Sequence, residues 1–531
     1  MASHDPLLAG AHPILSCAEA QAWEKNVLGD DESRAWTAVT RAGHALGAAV
    51  LADAREIGGV PDDGRVLVLC GKGHNGGDAL IALRVILEAR SRATALVLIV
   101  PDFSAMKPLT RRALEDLRQA TGSRVETRCV AGSVAGRDAA HVRALLAGAN
   151  FDLCLDGLFG MQFRPPLAAP AAWLIGLINE HAGVRLRAAV DLPSGVGDAR
   201  DALPFRADFT YATGIAKAPL FADANRPTIG RVRYLDLGFF ANRRDGDSAS
   251  AILTDHVLDP LRALRPAGTD KRGFGHLFVV SGSRTMPGAV LMTVESALVS
   301  GVGLVTAFVP ENLAAAFAAR VPEAMWVPMP ETLDGGLALE GRGSVVARAA
   351  RCTALLAGPG LGRDRESLAL ITELLRAIDV PAVLDGDALQ PDVVTARYVG
   401  SDSPRVLTPH AGEFARITEA EGRDDGTLRE AAKKLRAAIV LKGAPTRISD
   451  GGPVYVSPFG GPVLSRGGSG DVLAGLIAGQ LAQGVTGLES AARGVVWHGQ
   501  AADRLARAVG QTSTRVTELV PHLSAVLQER P

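Results

Sequence analysis

The residues from Arg466 to Gly475 read Arg-Gly-Gly-Ser-Gly-Asp-Val-Leu-Ala-Gly, so Gly467, Gly468, Ser469 and Gly470 stand directly before Asp471. The apolar, small-residue run Val472–Gly479 behind them predicts a buried helix. A helix N-terminus carries unpaired N–H groups and a partial positive charge. Glycines let such amides approach an anion closely. A carboxylate at Asp471 then suits phosphate chemistry, as the group that takes a proton from a hydroxyl. Ser and Asp are also good helix caps. The loop alone does not separate a phosphate site from a capped helix.

A second glycine loop, Gly71-Lys72-Gly73-His74-Asn75-Gly76-Gly77-Asp78, follows the strand-like run Arg65–Cys70. A helix is expected after it, from about Ala79 to Arg90. Strand, glycine loop and helix make the layout of an anion site in a doubly wound sheet. The spacing is not that of the dinucleotide fingerprint. Two further predicted strands end in acids: Phe151–Asp156, and Leu186–Asp191 just before Ser194. Ligands of an open parallel sheet sit at the carboxyl ends of its strands. Asn75, Asp78, Asp156, Asp191 and Ser194 are therefore expected on one edge. Asn75, Asp156 and Ser194 offer hard oxygens to a cation. One acid at a strand end is most simply a turn cap; several such ends together favour a site.

These loops need elements to hold them. Residues 14–57 read as helical, and the polar stretch 242–248 reads as a linker. A second break spans 265–273. Strand–loop–helix grammar then restarts, with strands predicted at 276–280, 304–309, 353–357, 382–384, 406–408 and 438–441, each running into a glycine or polar loop. Two α/β domains are expected, at residues 1–240 and 250–531 of the 531-residue chain. Lys plus Arg number 56 and Asp plus Glu 57, a balance that argues against a nucleic-acid partner. Aromatic residues are 5%, too few for a base-stacking platform. The five cysteines form no C-x-x-C pair, and Cys70 and Cys154 are expected in the core. No signal peptide or membrane-length apolar run is read, so a soluble cytoplasmic protein without a membrane partner is expected.

Taken together, these motifs resemble the bifunctional NAD(P)H-hydrate repair enzymes, an epimerase domain fused to a nucleotide-dependent dehydratase. The C-terminal motifs that carry the likeness are Lys271-Arg272-Gly273-Phe274-Gly275-His276, Pro287-Gly288-Ala289, Ala357–Gly362, Leu384–Leu389, Thr408–Glu413, Val440–Thr446 and Gly467–Asp471. The N-terminal ones are His74–Asp78, Asp156–Gly160 and Val190–Gly195. His74 stands where the family has Asn, and Met161-Gln162-Phe163-Arg164-Pro165 departs from its T-G-L-x-R-P.

The resemblance implies an N-terminal Rossmann-like doubly wound sheet and a C-terminal ribokinase-like α/β domain. It implies epimerisation of the R and S hydrates of NADH and NADPH (NADHX and NADPHX). The S hydrate is then dehydrated at the expense of ADP, or ATP, giving AMP and phosphate from ADP. Lys442, Gly443, Ala444, Pro445 and Thr446, with the loop Gly461–Gly470, would hold the nucleotide. Ala289, Gly360 and His410 would contact the hydrate, and Asp471 would be the base. In the first domain, His74–Asp78, Gly160, Arg164 and the catalytic Asp191 would meet substrate, and Asn75, Asp156 and Ser194 would ligate K+. Mg2+ in the dehydratase and a homo-oligomer are further implications. Asp385 and Asp387 fit either magnesium binding or loop capping. Lys442 alone also reads as a solvated surface lysine, and His410 as a turn histidine beside Pro409. The alternative is a ribokinase-like vitamin-precursor kinase with a non-catalytic N-terminal binding module.

Overall fold

The computed structural model describes residues 10–100, 102–130, 137–241, 248–397 and 402–529. The expected linker at 242–248 falls outside them, apart from Ser248. The chain separates into two compact units. One is formed mainly by His12–Gly246, the other mainly by Asp247–Ala506 and Thr512–Pro531.

The first unit contains the strands β1 (Ala11–Leu15), β2 (Arg65–Cys70), β3 (Thr94–Ile99), β4 (Val125–Cys129), β5 (Leu153–Gly157), β6 (Arg187–Val190), β7 (Phe209–Thr213), β8 (Ala216–Lys217) and β9 (Arg231–Leu235). Seven of them form a parallel sheet in the order β4-β3-β2-β5-β6-β7-β9. Strand pleating splits the apolar runs between two cores. Val66, Val68 and Cys70 pack under the helices Glu32–Ala54, His74–Ala89 and Pro108–Thr121, whereas Leu67, Leu69 and Cys154 face the other way, toward helix Ala169–Glu180. Cys70 and Cys154 are fully buried, as expected. The order of strands reverses between β2 and β5, which opens a crevice beyond their carboxyl ends.

Two local readings are corrected. The 14–57 stretch is not one helix. Ala11–Leu15 is a short strand paired with β8, and helices Cys17–Leu28 and Glu32–Ala54 follow, separated at Gly29 and capped by Ser16 and Asp31. Gly29 followed by Asp31 is a helix stop and restart. The helix after β2 begins at His74 rather than Ala79. Gly76 and Gly77 lie inside its first turns despite their low helix propensity. A Cβ on Gly76 would meet the Gly71 carbonyl oxygen at 2.2 Å, so only glycine admits this approach to the strand end.

The second unit contains β10 (Ser250–Leu253), β11 (His276–Val280), β12 (Leu304–Pro310), β13 (Met325–Met329), β14 (Ala354–Ala357), β15 (Ala382–Leu384), β16 (Arg405–Leu407), β17 (Ala438–Leu441), β18 (Thr446–Ser449) and β19 (Val454–Ser457). They are ordered β13-β12-β11-β14-β15-β16-β17-β18-β19-β10. All neighbours are parallel except β18, antiparallel on both sides. The loops after β11, β14, β15, β16 and β17 therefore share one edge, as expected. The edge strand β13, the β18–β19 hairpin and β10 escaped the sequence reading. Each is four or five residues long, and β13 carries Pro328.

Helix Ser469–Ala482 is almost wholly buried and packs on helix Pro287–Val299. A Cβ on Gly475 would lie 2.1 Å from Ser296 Oγ and 2.2 Å from the Thr293 carbonyl oxygen. Gly475→Ala should therefore destabilise the protein by about 1–3 kcal/mol, the usual cost of overpacking, read from the shift in urea midpoint.

Candidate functional sites at the two strand edges

The C-terminal site is organised by an ion pair. Asp385 closes β15 and is 2% exposed. Its Oδ1 accepts hydrogen bonds from Lys442 Nζ at 2.9 Å and from Thr408 Oγ1 at 2.6 Å. Lys442 begins the loop after β17, and its Nζ also lies 3.8 Å from Glu413 Oε2. Burial acts to lower the pKa of this ammonium. Asp385 and Glu413 outweigh that and hold the Lys442 pKa above its ordinary value. Lys442 is thus no solvated surface lysine.

The helix carrying Asp471 starts one residue after Gly468, whose φ of +97° is left-handed. Gly468 occupies the cap position with no side-chain cap bond. Ser469 and Asp471 lie in the first turn and do not cap it. A Cβ on Gly470 would stand 3.2 Å from Lys442 Nζ and 3.8 Å from Asp385 Oδ2. The Ser469 N–H is bonded to the Arg466 carbonyl at 3.3 Å, and Gly470 brings this turn, the Lys442 ammonium and Asp471 together. Burial, then Asp385, raise the Asp471 carboxyl to about 6, with Lys442 opposing. Thr293 links Asp471 to Ala289. Its hydroxyl donates to the Ala289 and Asp471 carbonyls at 3.0 and 3.2 Å. Ala289 Cβ would be 2.8 Å from a Cβ on Gly360.

His410 precedes helix Ala411–Thr418 as its cap. Its Nδ1 accepts from the N–H groups of Gly412 and Glu413, and Glu413 Oε2 accepts from its backbone N–H at 2.7 Å. Two donors on Nδ1 place the ring proton on Nε2. The turn-histidine reading describes its backbone role, while the exposed ring leaves room for a ligand contact. Asp387 Oδ2 accepts from Gly362 N–H at 3.0 Å, so Asp387 caps the loop after β14. Gly443 and Ala444 are exposed beside Lys442, Pro445 follows, and Thr446 opens β18, its hydroxyl bonded to Gly443. A Cβ on Gly467 would touch nothing. The predicted nucleotide loops thus lie open beside the ion pair.

In the N-terminal unit, Asn75, Asp156 and Ser194 come together as expected. Asp156 is fully buried at the end of β5. Ser194 donates to it through Oγ and N–H, both at 2.7 Å, and Leu158 N–H at 3.3 Å. Burial raises this carboxyl to about 6 against those bonds. Asn75 donates to the carbonyls of Phe159 and Val190 at 2.9 and 3.1 Å, leaving its Oδ1 beside Gly160. Asp191 has a φ of +66°, rare for a side-chain-bearing residue. It pairs with the buried Lys217 and accepts from Thr213 Oγ1 at 3.1 Å. A Cβ on Gly160 would lie 3.3 Å from Asp191 Oδ2. Asp78 is buried in the same helix as Asn75. His74 and Arg164 are exposed, and Arg164 donates to the Phe163 carbonyl at 2.7 Å.

Lys217 and Glu24 escaped the sequence reading. Lys217 sits on a two-residue strand, and Glu24 on a helix of the 14–57 stretch. Only the register of β8 beside β1 could reveal the first, and no local signal marks the second. Asp385 was read as a loop or metal residue, not as the partner of Lys442.

Two open-edged α/β units, one with a buried carboxylate–hydroxyl–amide cluster and one with a kinase-like anion loop, define a two-site enzyme class. A family model described as NAD(P)H-hydrate dehydratase matches residues 277–524, and one described as YjeF-related protein N-terminus matches residues 38–218. The chain is 39% identical over 487 residues to the bifunctional NAD(P)H-hydrate repair enzyme Nnr of Gloeobacter violaceus, covering 88% of each. It is 34% identical to that of Moorella thermoacetica, covering 87% of each. An ADP/ATP-dependent NAD(P)H-hydrate dehydratase from Bacillus subtilis is 28% identical, with a TM-score of 0.43, covering 52% of this chain and 96% of that one. The chain belongs to the bifunctional NAD(P)H-hydrate repair enzyme family.

Lys442→Met strands the Asp385 carboxylate, and a loss of about 3 kcal/mol is expected in urea unfolding. Lys442→Met with Asp385→Asn should recover most of that loss.

Proposed function

We propose that this protein returns hydrated NADH and NADPH to use, with epimerisation assigned to residues 1–240 and dehydration of the S hydrate, at the expense of ADP, to residues 250–531. It is an enzyme of two activities, an isomerase fused to a lyase. The observation that carries the dehydratase reading is the convergence of Asp471, Lys442 and the open helix turn at Gly468–Gly470.

A hydroxyl is a poor leaving group, and transfer of a phosphoryl group turns it into a good one. Asp471, raised to about 6, accepts the hydroxyl proton near neutral pH. The N–H groups of the first turn and the Lys442 ammonium stabilise charge on the transferring phosphoryl oxygens. Ala289, Gly360 and His410 line the hydrate side.

Among the described residues, no group of three or more His, Cys, Asp or Glu side chains stands ready as a metal cage. Mg2+ needs few protein ligands when phosphates and waters supply the rest. It would therefore arrive with the nucleotide, near the second oxygen of Asp385, and supply charge neutralisation there. In the other unit, Asp156 is buried against neutral donors alone. That surplus negative charge, with the Ser194 hydroxyl and the free Asn75 oxygen, fits a K+ ion, which supplies the missing positive charge.

Incubation with NADH hydrate and ADP, and in parallel with ATP, should restore NADH absorbance. Phosphorylation of a vitamin precursor without NADH formation would instead establish the small-molecule kinase. Asp471→Asn should lower dehydration by at least about 100-fold while leaving epimerisation intact. Below pH about 6 the Asp471 carboxyl is protonated and cannot act as a base. Dehydratase kcat should therefore rise with pH through that value.

A further inference from the structure

One buried acid in the N-terminal unit has no structural use. Asp78 is 8% exposed, and its Oδ1 has no hydrogen-bond partner. A buried polar group left unpaired costs stability and calls for an explanation. Asp78 lies one turn after Asn75 in helix His74–Ala89. Asn75 is clamped to the carbonyl of Val190, the residue before Asp191. Asp78 and Asp191, on different elements, lie close enough for the Asp191 charge to bear on Asp78. Asp191 is tied to the Lys217 ammonium and Thr213. Asp78 has no such cation bonded to it. Three charged groups bear on Asp78: Asp191, Glu24 from helix Cys17–Leu28, and Lys217. Burial first, then Asp191 and Glu24, push its carboxyl well above the ordinary range, and Lys217 opposes. A carboxyl held above its ordinary range in this way has a proton to give.

We propose that Asp78 is a catalytic residue of the N-terminal site, the acid that gives a proton to the departing hydroxyl of the hydrate. The proposal rests on the epimerase reading. Water added to a reduced nicotinamide ring leaves its hydroxyl on a carbon bonded to the ring nitrogen, because the nitrogen lone pair stabilises the cation that water attacks. Inverting that carbon needs the C–O bond to break and reform. Asp78 protonates the hydroxyl, the C–O bond breaks as the nitrogen lone pair forms a C=N bond, and water leaves. Water then adds to the opposite face and its surplus proton returns to Asp78. Nothing is oxidised or reduced, and the protons balance. Asp191, ion-paired with Lys217, provides the carboxylate that faces the transient cation.

The test is Asp78→Asn in the full chain, with separated R and S hydrates as substrate. Epimerase kcat should fall by about 100-fold or more with little change in KM, the range for a lost general acid. Wild-type activity should decline on the alkaline side as the acid loses its proton, and the variant should lack that limb. Its thermal midpoint should equal or exceed that of wild type, because an unpartnered acid has been removed. Near-normal kcat in Asp78→Asn, or a rise in KM alone, overturns the acid while leaving the epimerase reading intact. A wild-type protein that does not epimerise overturns both.

Discussion

In both units a helix begins within contact distance of the strand ends it serves, and the absence of a Cβ is what permits it. Gly76 sits against the Gly71 carbonyl in the first unit. Gly470 sits against Lys442 and Asp385 in the second, and Gly475 seats the same helix on Thr293 and Ser296. Each approach brings a helix N-terminus, with its unpaired amides, to the carboxyl edge of a parallel sheet. The side chains that do chemistry are then delivered by neighbouring loops at little cost in loop length. Were these positions larger, the helices would shift and both clusters would come apart.

The same compression sets the electrostatics. Crowding removes water, so every carboxylate at these edges must find a cation, accept several donors or keep its proton. Asp385 and Asp191 follow the first course, through Lys442 and Lys217. Asp156 takes the second and remains raised to about 6. Asp471 and Asp78 have no bonded cation, and both carboxyls are raised, Asp471 to about 6 and Asp78 well above the ordinary range. Each unit thus holds one acid ion-paired with a lysine beside another whose carboxyl is raised. That division follows from lysine placement, not from the acids themselves.

Much of this was legible in the sequence because the edge loops are contiguous motifs. The strand–loop–helix series placed Asn75, Asp156 and Ser194 together, and Asp471 beside Lys442, since parallel strands put all their following loops on one side. Helix starts were less legible. His74 and Ser469 open their helices through glycines that propensity assigns to loops, and tertiary packing overrides that preference. The pairing partners were not legible at all. Lys217 reaches Asp191 from a two-residue strand, and the Glu24 charge bears on Asp78 from helix Cys17–Leu28. Such contacts depend on sheet register and leave no local pattern.

His410 shows why single residues resist assignment from either side. Its Nδ1 is spent on two backbone amides, which a purely structural cap would also do. That very engagement settles the tautomer and leaves an Nε2–H on an exposed ring. Glu413 binds the His410 backbone and lies near Lys442, so His410 and Lys442 share one carboxylate. The cap orients the ring, and the shared carboxylate couples its position to that of the lysine.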